Sequence, residues 1–210
     1  EEEILEVEIV EEAVEPSDRV MGRLRSRIPP SRRPIEARPK AVEETIIEAL
    51  QWLKAHQSPG GSWDADTFGN WCDGKAVEAG KRPDGSGKSH YTPGVTGLAL
   101  MAFLSAGYTQ RGKHPFAKSV ERGLRYLKTI QDPEGCLGTR TSPNFIYNHA
   151  MGTIALVEAY GMTESPILKG AAQRAIDFSA AARNPYFGWR YGVRPGDNDT
   201  SVTHWMLMGI

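Results

Sequence analysis

A chain of 210 residues with 40% hydrophobic content and a formal net charge of -1 has enough apolar mass for one domain of ordinary size and no surplus of positive charge to attract nucleic acid. Its two cysteines, Cys72 and Cys136, stand far apart with no CxxC or Cys/His spacing, which argues against a disulfide framework and a zinc finger. No apolar stretch reaches the roughly 18 to 20 residues that span a bilayer, and no signal-peptide core opens the chain.

Residues 1–40 read as a charged linker, because an acidic block, "EEEILEVEIVEEAVE", is followed by a basic, proline-bearing one, "RVMGRLRSRIPPSRRPIEARPK". Such blocks bury too little apolar surface to offset chain entropy and are expected to be disordered. The chain opens on Glu1, and "SVTHWMLMGI" reads as a helix running to its last residue. It is therefore expected to be part of a longer protein, with membrane association only through a segment outside it and its localisation left open.

From residue 41 to 210 three similar units follow one another. Each begins with an amphipathic helix pattern: Val42, Ile46, Leu50 and Leu53; then Val120, Leu124 and Leu127; then Ala171, Ala175, Phe178 and Ala182. These stripes have the spacing of one buried helix face. Each helix runs into a turn, "QSPGGSW", "QDPEGCL" or "RNPYFGW", whose proline stops the helix. A second, more apolar helix comes next: "TPGVTGLALMAFLSAG", "YNHAMGTIALVEAYG" and "DNDTSVTHWMLMGI". Their apolar runs align Gly97, Thr153 and His204, and Thr92, Asn148 and Asp199. The first unit is stretched by a polar, Gly-rich insertion at about 64–89. Alternation of amphipathic and nearly all-apolar helices predicts two layers, since a helix apolar all round needs cover on every side.

The stretch "ALQWLKAHQSPGGSW" resembles the QW repeat of squalene and other class II terpene cyclases, with Trp52 or Leu53, Gln57, Gly61 and Trp63 in the pattern positions. The second copy keeps Gln131 and Gly135 but has Leu137 for tryptophan. The third has Arg183 and Phe187 but restores Trp189. The resemblance implies an all-α fold, an α/α toroid of outer and inner helices, of which three helix pairs are present from a ring of six. In such turns the Gln satisfies backbone groups at helix ends and the Trp ring covers the junction, so these residues are expected to be structural. Leu137 is expected to be the weakest of the three junction residues.

The toroid would gather the inner-helix N-termini at one end of a central cavity, where their partial positive charge favours anions. The candidate ligand-binding residues there are His90, Tyr91, Asn148, His149, Thr200, Ser201 and His204. The candidate catalytic carboxylates are Asp199 and Asp197. Class II cyclases protonate an alkene or epoxide with the central Asp of a DxDD motif, which "DNDTSV" resembles. In one register Asp197 and Asp199 match its first two acids. In the other, Asn198 stands where the acid belongs, and an amide cannot supply that proton. Asp, Asn, Thr and Ser are also the preferred helix caps, so capping accounts for most of the stretch.

Other motifs fail. "GSGKS" at 85–89 has Arg82 in place of the first phosphate-loop glycine, and the Asp-x-Cys pair of prenyltransferase β subunits is absent. No metal and no cofactor is expected. Asn198 and the two degraded repeats favour a binding module for a hydrophobic small molecule, peptide or polysaccharide. A class II terpene cyclase and a glycan-active toroid with paired carboxylates are the enzyme readings.

Overall fold

The computed structural model describes residues 39–71, 87–185 and 187–210. The expected linker up to residue 38, most of the insertion and the Gly85–Ser86 start of "GSGKS" lie outside the described residues. Arg38–Ile210 form one compact unit.

The described residues are helical, without a β-strand; six α-helices follow in three pairs. They are α1 (Lys40–Ala55), α2 (Thr92–Ser105), α3 (Ala117–Ile130), α4 (Phe145–Thr163), α5 (Pro166–Ala182) and α6 (Thr200–Met208), with short 3₁₀ turns at Phe68–Trp71 and Ser89–Tyr91. The all-α class is as the sequence predicts. Local chemistry sets several of the boundaries. Pro93 and Pro166 sit in the first turns of α2 and α5, where a missing N–H removes nothing the helix uses. Asn144 and Glu164, which flank α4, take left-handed backbone conformations.

The odd-numbered helices are amphipathic and lay their apolar stripe on the even-numbered ones. Leu50, Val120, Leu124, Leu127, Ala171, Ala175, Phe178 and Ala182 are all buried. Val42 is not: it is 48% exposed, a correction to the predicted stripe. Helix α1 packs on α2, with Leu50 as its buried residue. The apolar helices pack on one another, α2 along α4 and α4 against α6. Helices α2 and α4 lie almost backbone to backbone, because a Cβ on Gly97 would stand 2.6 Å from the Met151 carbonyl.

Leu100, Phe103, Leu104, Phe116, Val120, Leu127 and Leu156 fill the larger core beneath α2 and α3. Full burial of each such side chain contributes about 1.5 to 3 kcal/mol. A second core joins Phe145, Ile146, Phe178, Trp189, Val202 and Met206. Helix α6 ends at Met208 with Gly209 as its cap, so the expected run of helix to the last residue stops two residues short. No described helix is long and apolar enough to cross a membrane.

Candidate functional site

Each turn between paired helices is tied to its surroundings by a few hydrogen bonds. At the first, Gln57 Nε2 donates to the Gly61 carbonyl and, across to the next amphipathic helix, to the Ser119 carbonyl, both at 2.9 Å. Its Oε1 accepts from Arg122 at 2.6 Å. The second turn repeats this with Gln131: Nε2 donates to Gly135 at 3.1 Å and to Ala171 at 2.9 Å, and Oε1 accepts from Arg174 at 2.7 Å. Gly61 and Gly135 have φ of +97° and +98°, a region glycine enters without Cβ strain. The third turn has no such Gln. There Asn184 is buried and binds its own following loop: Nδ2 donates to the Asp197 carbonyl and Asn198 Oδ1, while Oδ1 accepts from Gly196.

The junction residues also correspond. Trp63 Nε1 donates to the Leu53 carbonyl and Trp189 Nε1 to the Ser179 carbonyl, both at 2.7 Å. Their backbone N–H groups donate to Thr96 and Thr203, each at 3.0 Å. In the middle unit Gly152 occupies the position of those threonines, and the Leu137 N–H donates to His149 Nδ1 at 3.2 Å instead. That bond fixes the tautomer: Nδ1 accepts, so Nε2 carries the proton and meets Ser179 Oγ at 2.9 Å, while Ser179 donates on to the Ala175 carbonyl. His149 is wholly buried, with its ring edge-on to Phe178. Burial drives its pKa down to about 3, which keeps the imidazole neutral. Both ring nitrogens of His149, a candidate ligand-binding residue, are engaged inside the protein.

Asn148 is likewise buried and engaged: Nδ2 donates to the His90 carbonyl at 2.7 Å and Oδ1 accepts from the Gly94 N–H at 3.2 Å. It ties the start of α2 to α4 and has little left for a ligand. Tyr91 is exposed and touches the His90 ring edge-on at 4.1 Å. On the other side of α4, the Tyr147 hydroxyl meets Ser201 Oγ, and Tyr147 lies 6.1 Å from the Tyr191 ring. The α4 N-terminus thus joins His90 on one flank to Ser201 and Asp199 on the other. Thr200 and His204 are exposed on α6.

Asp199 is the N-cap of α6. Its carboxylate accepts from the Val202 N–H and Ser201 Oγ at 2.9 Å each, and from the Tyr191 hydroxyl at 3.2 Å. These donors, the Val202 amide first, hold its pKa below the usual carboxylate value. Asp197 is ion-paired with Arg190, whose guanidinium also lies over the Tyr191 ring. The two aspartates therefore have separate partners. Among the described residues no group of three His, Cys, Asp or Glu side chains is placed to hold a metal ion.

One feature escaped the sequence reading. The side of the apolar helices turned away from the amphipathic layer is not fully covered: Tyr91, Val95 and Leu98 of the α2 segment are exposed, as are Leu207 and Met208 of α6. Tyr147, Met151 and Glu158 of α4 are half-buried. Burial pushes the Glu158 carboxyl above its ordinary pKa. The signal was present in α2, where small residues (Gly94, Gly97) face α4 and larger ones (Val95, Leu98) alternate with them.

Over 137 residues the chain is 28% identical to a dammaradiene synthase of Dryopteris crassirhizoma, a match that takes in 60% of this chain and 19% of the relative. The chain thus spans about a fifth of that protein. No family model and no solved structure matches it.

Proposed function

We propose that this chain is an arc of a squalene cyclase-like α/α toroid, built on QW-type turns, whose apolar inner-helix face binds an extended hydrophobic ligand. The observation that carries the reading is the exposed apolar stripe Tyr91, Val95 and Leu98 on a helix whose opposite side is core. Water-facing apolar area gathered on one face, edged by polar groups such as Ser201 and Asp199, is the usual mark of a binding surface. The paired turns at Gln57 and Gln131 and the similarity to a dammaradiene synthase support the architecture.

Catalysis by protonation of an alkene is the second reading, and that similarity favours it. It requires an acid other than Asp199, which is held ionised by three donors, and other than Asn198. A glycan-cleaving pair finds less support, because Asp197 is neutralised by Arg190 and Asp199 caps a helix.

The test is to incubate the full-length protein with squalene, oxidosqualene and geranylgeranyl diphosphate, measuring both retention and products. Saturable retention without a cyclic product, lost in Leu98→Asp, is the expected result. A cyclic product that disappears in Asp199→Asn would establish the cyclase instead. Absence of retention in the folded protein would overturn the binding reading.

A further inference from the structure

A groove of about 570 Å³ opens on the other side of the molecule, between the last turn of α1, the first interhelix turn, the 3₁₀ turn Phe68–Trp71 and the start of α3. Its polar lining includes Lys54 and Arg122, and its flat walls are Pro59, Trp71 and Pro115. The apolar inner-helix face contributes no lining residue.

Arg122 is the informative residue. Its backbone is pinned by the turn, since a Cβ on Gly61 would come within 2.4 Å of the Arg122 carbonyl. One terminal amine is fixed on Gln57 Oε1 at 2.6 Å. Its Nε is buried without a hydrogen-bond partner, and no carboxylate pairs with the guanidinium or with Lys54 among the described residues. Asp64 is occupied by the Ser62 and Thr67 hydroxyls and by Trp71 Nε1, and the last of these bonds holds the Trp71 ring as a wall. The carbonyls of Trp52, Leu53 and Lys54 at the end of α1 are also taken, by His56, Trp63 and Gln57. The second turn repeats the Gln–Arg pair, but Arg174 is exposed, so among the described residues the buried, unpartnered guanidinium nitrogen is that of the first turn.

A half-buried guanidinium with no carboxylate beside it among the described residues carries a positive charge that a ligand oxygen can offset. An oxyanion does so best, since charge-assisted bonds to arginine are the strong ones and Lys54 adds a second positive charge. Proline and indole walls suit a planar apolar body. We infer that this groove binds a small ligand carrying a carboxylate or phosphate on a flat apolar group, with the Arg122 guanidinium and Lys54 holding the oxyanion and Trp71 holding the ring. The site is pre-organised, because the Gly61 turn and Gln57 fix the guanidinium before any ligand arrives.

The test uses the full chain and three probes by titration calorimetry: 2-naphthoate, 2-naphthyl phosphate and the neutral 2-naphthamide. Either anion should bind saturably, with the amide about tenfold or more weaker, and added salt should weaken the anion. Which anion binds tighter reports the source of the oxygen. Lys54→Ala, at an exposed position without a structural partner, should weaken binding several-fold. Arg122→Lys should do so as well, its thermal unfolding showing how much of the loss is structural, while Arg174→Lys should leave affinity unchanged. No saturable binding of either anion, equal binding of the amide, or unchanged affinity in Lys54→Ala would each overturn the inference. Binding that survives Lys54→Ala but is lost in Leu98→Asp would place the probe on the inner face and overturn it too.

Discussion

The first and second interhelix turns are fastened alike and filled differently. Both reach the next amphipathic helix through one Gln, accept one Arg and turn on one left-handed glycine. Yet the first junction is closed by Trp63 and Thr96, the second by Leu137, Gly152 and His149. The fastening is therefore separable from the filling. Three positions differ together at the second junction: the smaller Leu137, completely buried against Gly152, the absent side chain at Gly152, and a histidine that supplies the acceptor the threonine would have given.

The shared fastening is the place to break both turns at once. A Cβ at Gly135 would lie 2.0 Å from the Arg174 carbonyl, and one at Gly61 2.4 Å from that of Arg122. Backbone atoms cannot swing aside, and the left-handed conformation adds its own penalty for a side chain. Gly135→Ala and Gly61→Ala should each cost about 3 to 5 kcal/mol, read from urea unfolding midpoints. A cost below about 1 kcal/mol at either glycine would show that the turn relaxes and that the fastening is not what positions the next helix.

The filling is tested next. Trp63 and Trp189 are buried, and Leu137 is completely so. The sequence alone ranks Leu137 as the weakest junction, but complete burial brings its expected cost into the same range: about 3 to 5 kcal/mol for Trp63→Ala and Trp189→Ala, and about 2 to 5 for Leu137→Ala. The variant that sharpens the comparison is Leu137→Trp, which restores the pattern residue. With a Cβ at Gly152 already only 2.8 Å from Leu137 Cδ1, the larger ring has no room, and Leu137→Trp should destabilise through overpacking by about 1 to 3 kcal/mol. An increase in thermal midpoint for Leu137→Trp would mean that the second junction is merely degraded.

How much of this was legible in sequence follows from the range of the interactions. The helices and their pairing are read from residues a few positions apart, such as Val120, Leu124 and Leu127, because periodicity records which face is buried. The capping role of Asp199 is equally local, resting on an N–H three residues away. The hydrogen bonds of His149 and Asn148 were not legible, for the opposite reason. Their partners on other segments are 12 to 58 residues distant, and a polar residue at a helix start looks the same in sequence whether it faces a cavity or a neighbouring backbone. The groove at Arg122 was invisible too, as its lining comes from segments up to 71 residues apart along the chain, from Gln51 to Arg122.

His149 carries a pH dependence of the second junction. Its folded pKa is lowered to about 3 from an ordinary value near 6.5. Between these values the unfolded chain binds a proton that the folded chain refuses, so stability is complete above about pH 6.5 and falls as the pH drops. The slope from this group is about 1.4 kcal/mol per pH unit. Denaturant unfolding at about pH 7, 6 and 5 should show it, above the range where carboxylates dominate. His149→Asn removes the titration and should flatten the profile between about pH 6 and 5. Equal slopes in both proteins would mean that the imidazole is protonated in the fold and that the Leu137 N–H has another acceptor.

The smallest effect is expected from Asp199, the N-cap of α6 beside the third junction. Its carboxylate sits at the open end of α6, accepting from Val202, Ser201 and Tyr191. Asp199→Ala removes the acceptor and should lower the thermal midpoint slightly, less than any change above. Asp199→Asn keeps an oxygen for the Val202 amide and should be nearly silent, because Asn and Asp cap helices about equally well. The sign of its pH dependence is set by the lowered folded pKa: the carboxylate stabilises the fold above the ordinary aspartate value, and the contribution fades as the pH falls through the lower folded one. A proton donor would behave in the reverse sense, with a raised pKa and a fold that Asp199→Asn stabilises at neutral pH by removing an unwelcome charge. Chemical-shift titration of the Asp199 carboxyl in the full chain distinguishes the two: a midpoint below the ordinary aspartate value keeps Asp199 as a cap, and one well above it returns Asp199 to the list of acids.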